Sequence, residues 1–453
     1  MKSVSALLAL VPLTCLFAGA CGDEAGSDPE SDAAADQVVR ADVRADSKNA
    51  DAGDATNTDG SLPDGAADTK AVDANPPDTG MDSAISDGSS DAPADAFVPP
   101  SPAIQVSAAA DHTCAVLASG RVKCWGSNEY LQLGNGDDSL FRKTQPSPVF
   151  VVGIQNAVAV ATGDRHSCAL LSTGAVQCWG RNFQNQLGDG GSTDSAVPVQ
   201  VLGISDGMAI SAAHRSTCVL TTSGTVKCWG NNDHGQTGSG SASAVLSPVT
   251  VPGLSGIKRV VVGDASTCAL TNGGIVKCWG FGDYGRLGNA SGSSSLTPVD
   301  VAGLSGVLDL AGGVEHVCAR TSTNVQCWGL NNQGQVGNNA INFQATPAIV
   351  AGLPTPSAIF AGVSSTCAAG NGVTYCWGAN ILGGLGTGNK GSQAAPSATL
   401  ANFSAIVPSI GTAHSCGVEA AGTVRCWGWN AKGQLGNGTL VDSLTGASVL
   451  TIP

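Results

Sequence analysis

The stretch His166-Ser-Cys-Ala-Leu-Leu-Ser-Thr-Gly-Ala-Val-Gln-Cys-Trp-Gly-Arg-Asn182 reads as two short strands around a tight turn. Apolar residues alternate on both sides of Ser172-Thr173-Gly174, and a three-residue loop with glycine in the left-handed position is a common hairpin closure. Counting outward from that loop sets Cys168 opposite Cys178 in a non-hydrogen-bonded pair, where facing residues lie closest. That is the site in a hairpin where a disulfide fits best.

The same stretch recurs along the chain. Cys-Trp-Gly begins at Cys124, Cys178, Cys228, Cys278, Cys327, Cys376 and Cys426, in steps of 54, 50, 50, 49, 49 and 50 residues. A second cysteine precedes each, at Cys114, Cys168, Cys218, Cys268, Cys318, Cys367 and Cys416. Five units have nine residues between the cysteines and an x-x-Gly loop; the fifth and sixth have eight, with Ser322-Thr323 and Asn371-Gly372 as two-residue loops. Loop length and cysteine spacing therefore change together, so that each pair still faces across its hairpin. Seven local disulfides follow, structural staples in an oxidising compartment. A Gly-rich run and usually a Pro-led strand come after each Trp-Gly, and nothing has helical period. Four strands fit each unit; in the second they are expected at 148–151, 157–161, 167–171 and 175–180. Seven units of about 50 residues fill 101–453, which makes one all-β repeat domain rather than the several that length alone suggests.

With Gln186-Leu-Gly-Asp-Gly190 added, the quoted stretch resembles the RCC1 (regulator of chromosome condensation) repeat, and the resemblance covers all seven units. It implies a seven-bladed β-propeller. The paired cysteines depart from the family pattern and suit an exported version. The first unit begins without a Pro-led strand and the chain ends with a spare one, so 446–451 is expected to complete the first blade and close the ring.

Charge marks the domain boundary. Residues 22–100 hold 17 Asp and 2 Glu against four basic residues, whereas residues 101–453 hold 16 of each sign. Such an Asp/Ala/Ser/Gly segment cannot bury enough apolar surface to fold and reads as a disordered tether, about 50 Å long as a flexible coil. Before it, 1–21 reads as a secretion signal: Met1-Lys2, an apolar run to Phe17, then Ala18-Gly19-Ala20-Cys21. The ending resembles the lipobox of bacterial lipoproteins, which implies lipidation at Cys21, although Ala18 stands where that family prefers Leu. Ordinary cleavage after Ala20, giving a secreted protein, is the alternative. A net charge of -14 without a basic block excludes nucleic acid as the expected partner.

Candidate sites are few. His112, His166, His316 and His414 stand two residues before the first cysteine, where other units have Ser216, Ser266 and Ser365. They are expected to bind backbone in the turn before the strand, and the seven Trp to fill the core. No Gly-x-Ser-x-Gly elbow occurs, the P-loop-like run 383–392 is interrupted by Asn389 and Gly391, and the tether lacks EF-hand spacing. No metal, cofactor or catalytic residue is therefore assigned. With antiparallel blades, every connection from Trp-Gly to the Pro-led strand lies on one side. That side carries Tyr130, Phe141, Arg142, Phe183, Phe281, Tyr284, Phe343 and Trp429 as candidate partner-binding residues. The competing reading folds these rings back over the blade edges. The expectation is a monomeric, non-enzymatic interaction module of the cell envelope, binding a protein or glycan. Guanine-nucleotide exchange, implied by the family's namesake, and a surface carbohydrate-active enzyme are the alternatives.

Overall fold

The alternating pattern becomes seven four-stranded antiparallel sheets in the computed structural model, which describes residues 101–139, 144–399, 409–411, 413–450 and 452. Each blade is continuous in sequence. In blade 1 the inner strand Ala103–Ala108 is followed by the cysteine strand His112–Leu117, the tryptophan strand Val122–Ser127 and the outer strand Thr144–Phe150. The inner strands line a central cavity of about 280 Å³. Its polar side chains tie neighbouring blades: Gln105 Nε2 donates to Val160 O at 3.0 Å, and Ser107 Oγ lies 2.8 Å from Thr162 Oγ1.

All seven cysteine pairs are bonded, Cys114–Cys124 through Cys416–Cys426, with Cα atoms 4.0–4.1 Å apart. Directly opposed positions such as Cys168↔Cys178 and Cys367↔Cys376 hold in hairpins of either loop length. Seven such bonds fit an oxidising, extracytoplasmic compartment.

The core lies between blades. Each Trp of Cys-Trp-Gly is 0–1% exposed, and its indole packs against the previous blade. Trp179 shares a cluster with Cys114 and Cys124, as Trp279 does with Cys218 and Cys228. The indole N–H is satisfied by a carbonyl of the preceding connection: Trp179 Nε1 donates to Gln132 O at 2.9 Å and Trp229 Nε1 to Gln186 O at 2.8 Å. Gly188 shows why glycine stands in that connection. Its φ is +64°, and a Cβ there would sit 2.8 Å from the Trp229 ring.

Three expectations are corrected. The Pro-led strand does not open a blade; it pairs with the tryptophan strand before it, as Cys124↔Val149 and Lys123↔Phe150 show. The last such strand, Ser443–Ser448, accordingly completes blade 7 through Cys426↔Ala447 and does not enter blade 1. The ring closes instead through side-chain and backbone hydrogen bonds between blades 7 and 1. Trp125 Nε1 donates to Gln434 O at 2.9 Å, His414 Nε2 lies 2.8 Å from Thr113 Oγ1, and Ala103 N donates to Gly422 O at 3.0 Å. The four histidines are also placed differently from expectation, because their rings cross a blade junction. His112, His166 and His316 Nε2 meet Ser167 Oγ, Thr217 Oγ1 and Thr366 Oγ1 of the next blade at 2.8, 2.8 and 2.7 Å.

Candidate functional site: the connection face

Two sets of loops share one side of the ring. The first residue after each Trp-Gly donates its N–H to the turn that follows the inner strand: Arg181 N to Arg165 O at 2.9 Å, Phe281 N to Ala265 O at 2.8 Å and Trp429 N to Ala413 O at 2.9 Å. Inside the connection, the Asn182 side chain accepts from Leu187 N at 2.9 Å, and Gln186 Oε1 accepts from Gln184 N at 2.8 Å. Gln132 holds Tyr130 N, and Gln434 holds Lys432 N, in the same way. Where a repeat has them, this Asn and Gln therefore serve the loop itself; blade 4 has Gly282 and Arg286 in their places, and blade 6 has Gly384 for the Gln. What varies is the residue displayed between them: Tyr130, Gln184, His234, Tyr284, Gln333, Leu382 and Lys432.

The turns carry an arc of charge that stops partway round. Asp111, Asp164, Arg165, His214, Arg215, Asp264 and Glu315 occupy them in blades 1 to 5, whereas blades 6 and 7 have Val363, Ser364 and Ala413. His214, at a left-handed φ of 45°, bridges two carboxylates. Its Nε2 lies 3.1 Å from Asp164 Oδ2 and its Nδ1 meets Asp264 Oδ1. Burial opposes charge on this imidazole, but the Asp264 bond and the fields of both carboxylates outweigh it and raise its pKa. For Asp264 burial acts upward, yet the His214 bond and charge hold its carboxyl below the usual range. Desolvation wins at Asp111, Asp164 and Glu315, whose pKa values are raised. Arg286 stands where most blades have the loop Gln; it pairs with Glu315 and lies 4.9 Å from the Phe281 centroid.

The sequence candidates fall into two groups and one outlier. Tyr130 is half-buried, with the Arg165 and Arg181 guanidinium carbons 4.3 and 4.7 Å from its ring centroid. Arg181 is also 5.7 Å from Phe183, which is 67% exposed. Arg215 Nη1 donates to Gln184 at 3.3 Å. Among the described residues, none of Arg165, Arg181 and Arg215 has a carboxylate within ion-pair distance. In the second group Phe281 packs on His234 at 4.5 Å, and exposed Tyr284 and Phe343 meet edge to face at 6.4 Å. Trp429 is half-buried, and among the described residues no ring or cation contact joins it to either group. Phe141, Arg142 and Cys21 lie outside the described residues. The arginines and the charged arc went unread in the sequence; the signal available was turn positions that vary while the frame around them repeats. The opposite side has a ring too, Phe150, 3.4 Å from Arg121.

Comparison with known proteins agrees with this architecture. A profile described as RCC1-like domain matches residues 56–367, well over half the chain, and an RCC1 repeat profile matches residues 409–434. The ultraviolet-B receptor UVR8 of Arabidopsis thaliana is 40% identical over 96 residues, 21% of this chain and 21% of the receptor. The E3 ubiquitin-protein ligase HERC2 of Homo sapiens is 36% identical over 89 residues, 19% of this chain and 2% of the ligase. The match thus spans about a fifth of the receptor's length and far less of the ligase's. Among solved structures, human WBSCR16 superposes with a TM-score of 0.64 at 22% identity, covering 73% of this chain and 93% of that one. Yeast RCC1 (Prp20), solved bound to Kap60, gives 0.60 at 21% identity over 68% of this chain and 78% of its own. At those identities the likeness is one of fold. By repeat, blade topology and profile, the chain belongs to the RCC1-like domain family.

Proposed function

We propose that this propeller is a non-enzymatic binding module of the cell envelope, which takes a protein or glycan partner on its connection face. The observation that carries the reading is the group Arg165, Arg181 and Arg215 around Tyr130, Phe183 and Gln184. Three guanidiniums with no carboxylate within ion-pair distance among the described residues, two of them stacked on an aromatic ring, are preorganised to receive an outside acceptor, and Arg and Tyr dominate the centres of protein interfaces. The loops beneath are fixed by their own Asn and Gln bonds, so little ordering cost falls on binding. Disulfides support an extracytoplasmic address, and the Cys21 lipobox resemblance supports an anchor there. The names of the relatives describe those proteins, a light receptor and a ligase, of which this chain shares the repeat.

The test is affinity capture from envelope and culture fluid with the oxidised full chain, beside a Tyr130→Ala/Arg181→Ala/Phe183→Ala variant. A partner held by the parent and lost by the folded variant is expected. Equal retention by both would remove the connection face from the reading. Fractionation of a Cys21→Ala variant tests the anchor: it is expected to move from the membrane to the soluble fraction.

A further inference from the structure

Propellers protect the outer strand of every blade, because an unpaired strand edge is a template for another chain. Two devices do this here. The first is a proline three residues after the outer-strand residue that pairs with the glycine of Trp-Gly: Pro148, Pro198, Pro248, Pro298, Pro347 and Pro396 in blades 1 to 6. The residue after it, such as Val149 or Val199, faces the tryptophan strand, so the proline sits where an N–H would point outward. The second is a bond from the preceding blade's connection to the carbonyl of the residue two before that proline. Gly136 N donates to Ala196 O at 3.0 Å, Gly190 N to Leu246 O at 3.1 Å, Gly240 N to Leu296 O at 3.2 Å and Ala290 N to Ala345 O at 3.0 Å. Asn339 N to Ala394 O at 3.1 Å and, across the seam, Gly438 N to Pro146 O at 2.8 Å complete the set.

Blade 7 lacks both. Its outer strand Ser443–Ser448 has Gly446 in the proline position, and among the described residues no bond joins Gly388 N to Leu444 O. Because Ala447 faces Cys426, the carbonyl and N–H of Gly446 point away from the sheet. No residue from Ser443 to Ser448 is charged, and exposed Leu440, Val441 and Leu450 flank the strand at its two ends.

We propose that a second copy of this chain docks on that edge, the two Ser443–Ser448 strands pairing antiparallel about Gly446 to join two blades into one eight-stranded sheet. The edge favours its own copy. It carries no charge to repel an identical strand, the small residue sits where the two strands cross the two-fold axis, and antiparallel pairing brings the apolar leading flank of one copy to the apolar trailing flank of the other. One open blade edge among the described residues gives a closed pair and not a filament, the isologous arrangement of most homodimers. The monomer expected from the sequence is the competing state.

The test is the molar mass of the oxidised full chain by sedimentation or light scattering from about 1 to about 100 µM, a range that resolves micromolar association. The parent is expected to double in mass with rising concentration, while Gly446→Pro stays single. Proline suits this position in six other blades; the φ of Gly446 is not left-handed, and the added Cβ meets only the flexible Arg425 side chain, at 3.3 Å. Thr445→Lys, which sets like charges across the axis, is the second variant and is expected to behave as Gly446→Pro does. Amide exchange at Ser448 is expected to slow at least tenfold as the parent pairs. A parent of single-chain mass throughout, a doubling that both variants retain, or an edge that accepts only a foreign strand would each overturn the proposal.

Discussion

His112, His166, His316 and His414 are each buried with one ring nitrogen on a hydroxyl of the next blade and the other, Nδ1, without a partner. Burial pushes the pKa of all four down to about 3, so the folded protein holds these rings neutral where the unfolded chain, near pKa 6.5, takes up protons. Their contribution is complete above pH 6.5 and is lost as pH falls from there toward 3, at about 1.4 kcal/mol per pH unit for each ring that titrates. Urea unfolding between pH 6 and 4 is expected to show this proton uptake, and His316→Ser, less stable overall, to show one proton fewer. An unchanged slope would mean that the ring protonates in place. His214 has the opposite sign: with its pKa raised, its contribution is present below pH 6.5 and fades as pH rises through the folded value. The sequence marked these histidines as structural but not their partners, since each hydroxyl lies in another unit, 50 to 55 residues on for three of them and 301 residues back across the seam for the fourth.

At the scale of the element, the hairpin was the most legible object in the chain. Its loops fix which residues face each other, and that alone pairs the cysteines, because a disulfide between adjacent strands is a local geometric matter. The grouping of strands into blades was less legible. Shifting the unit boundary by one strand leaves every count at four, and only the pairing of the outer strand with the tryptophan strand decides it. The disulfides are expected to stabilise modestly. Cys218→Ala/Cys228→Ala opens a loop of about ten residues already held by the ladder and leaves a small void against Trp279. A loss of about 2–4 kcal/mol is expected from the urea midpoint, with the fold intact. Complete loss of structure would show the bond to be required for folding rather than an addition to it.

At the scale of the molecule, the seven units are nearly equivalent as architecture and unequal as surface. The frame of Trp and Gly repeats in every blade and that of Asn and Gln in most, while the charged turns stop after blade 5, the exposed aromatics of the connection face belong to blades 2, 4 and 5, and, among the described residues, blade 7 alone leaves its outer edge unguarded. Repetition made the scaffold readable, because a shared role leaves the same residue in every unit. A binding surface is built from what differs between units, and one sequence offers no way to separate a difference that is used from one that is merely tolerated.

The seam between blades 7 and 1 has a consequence for how the chain can be cut. Trp125 on Gln434 repeats Trp179 on Gln132, and His414 on Thr113 repeats His166 on Thr217, so the native ends meet at a junction built like the others. A circular permutant that begins at an exposed turn between blades 3 and 4, near Gly253, with the old ends joined by a flexible linker, is therefore expected to fold with all seven disulfides and melt within a few degrees of the parent. The first residue of this propeller is then a matter of genetic bookkeeping: the ring itself has no beginning.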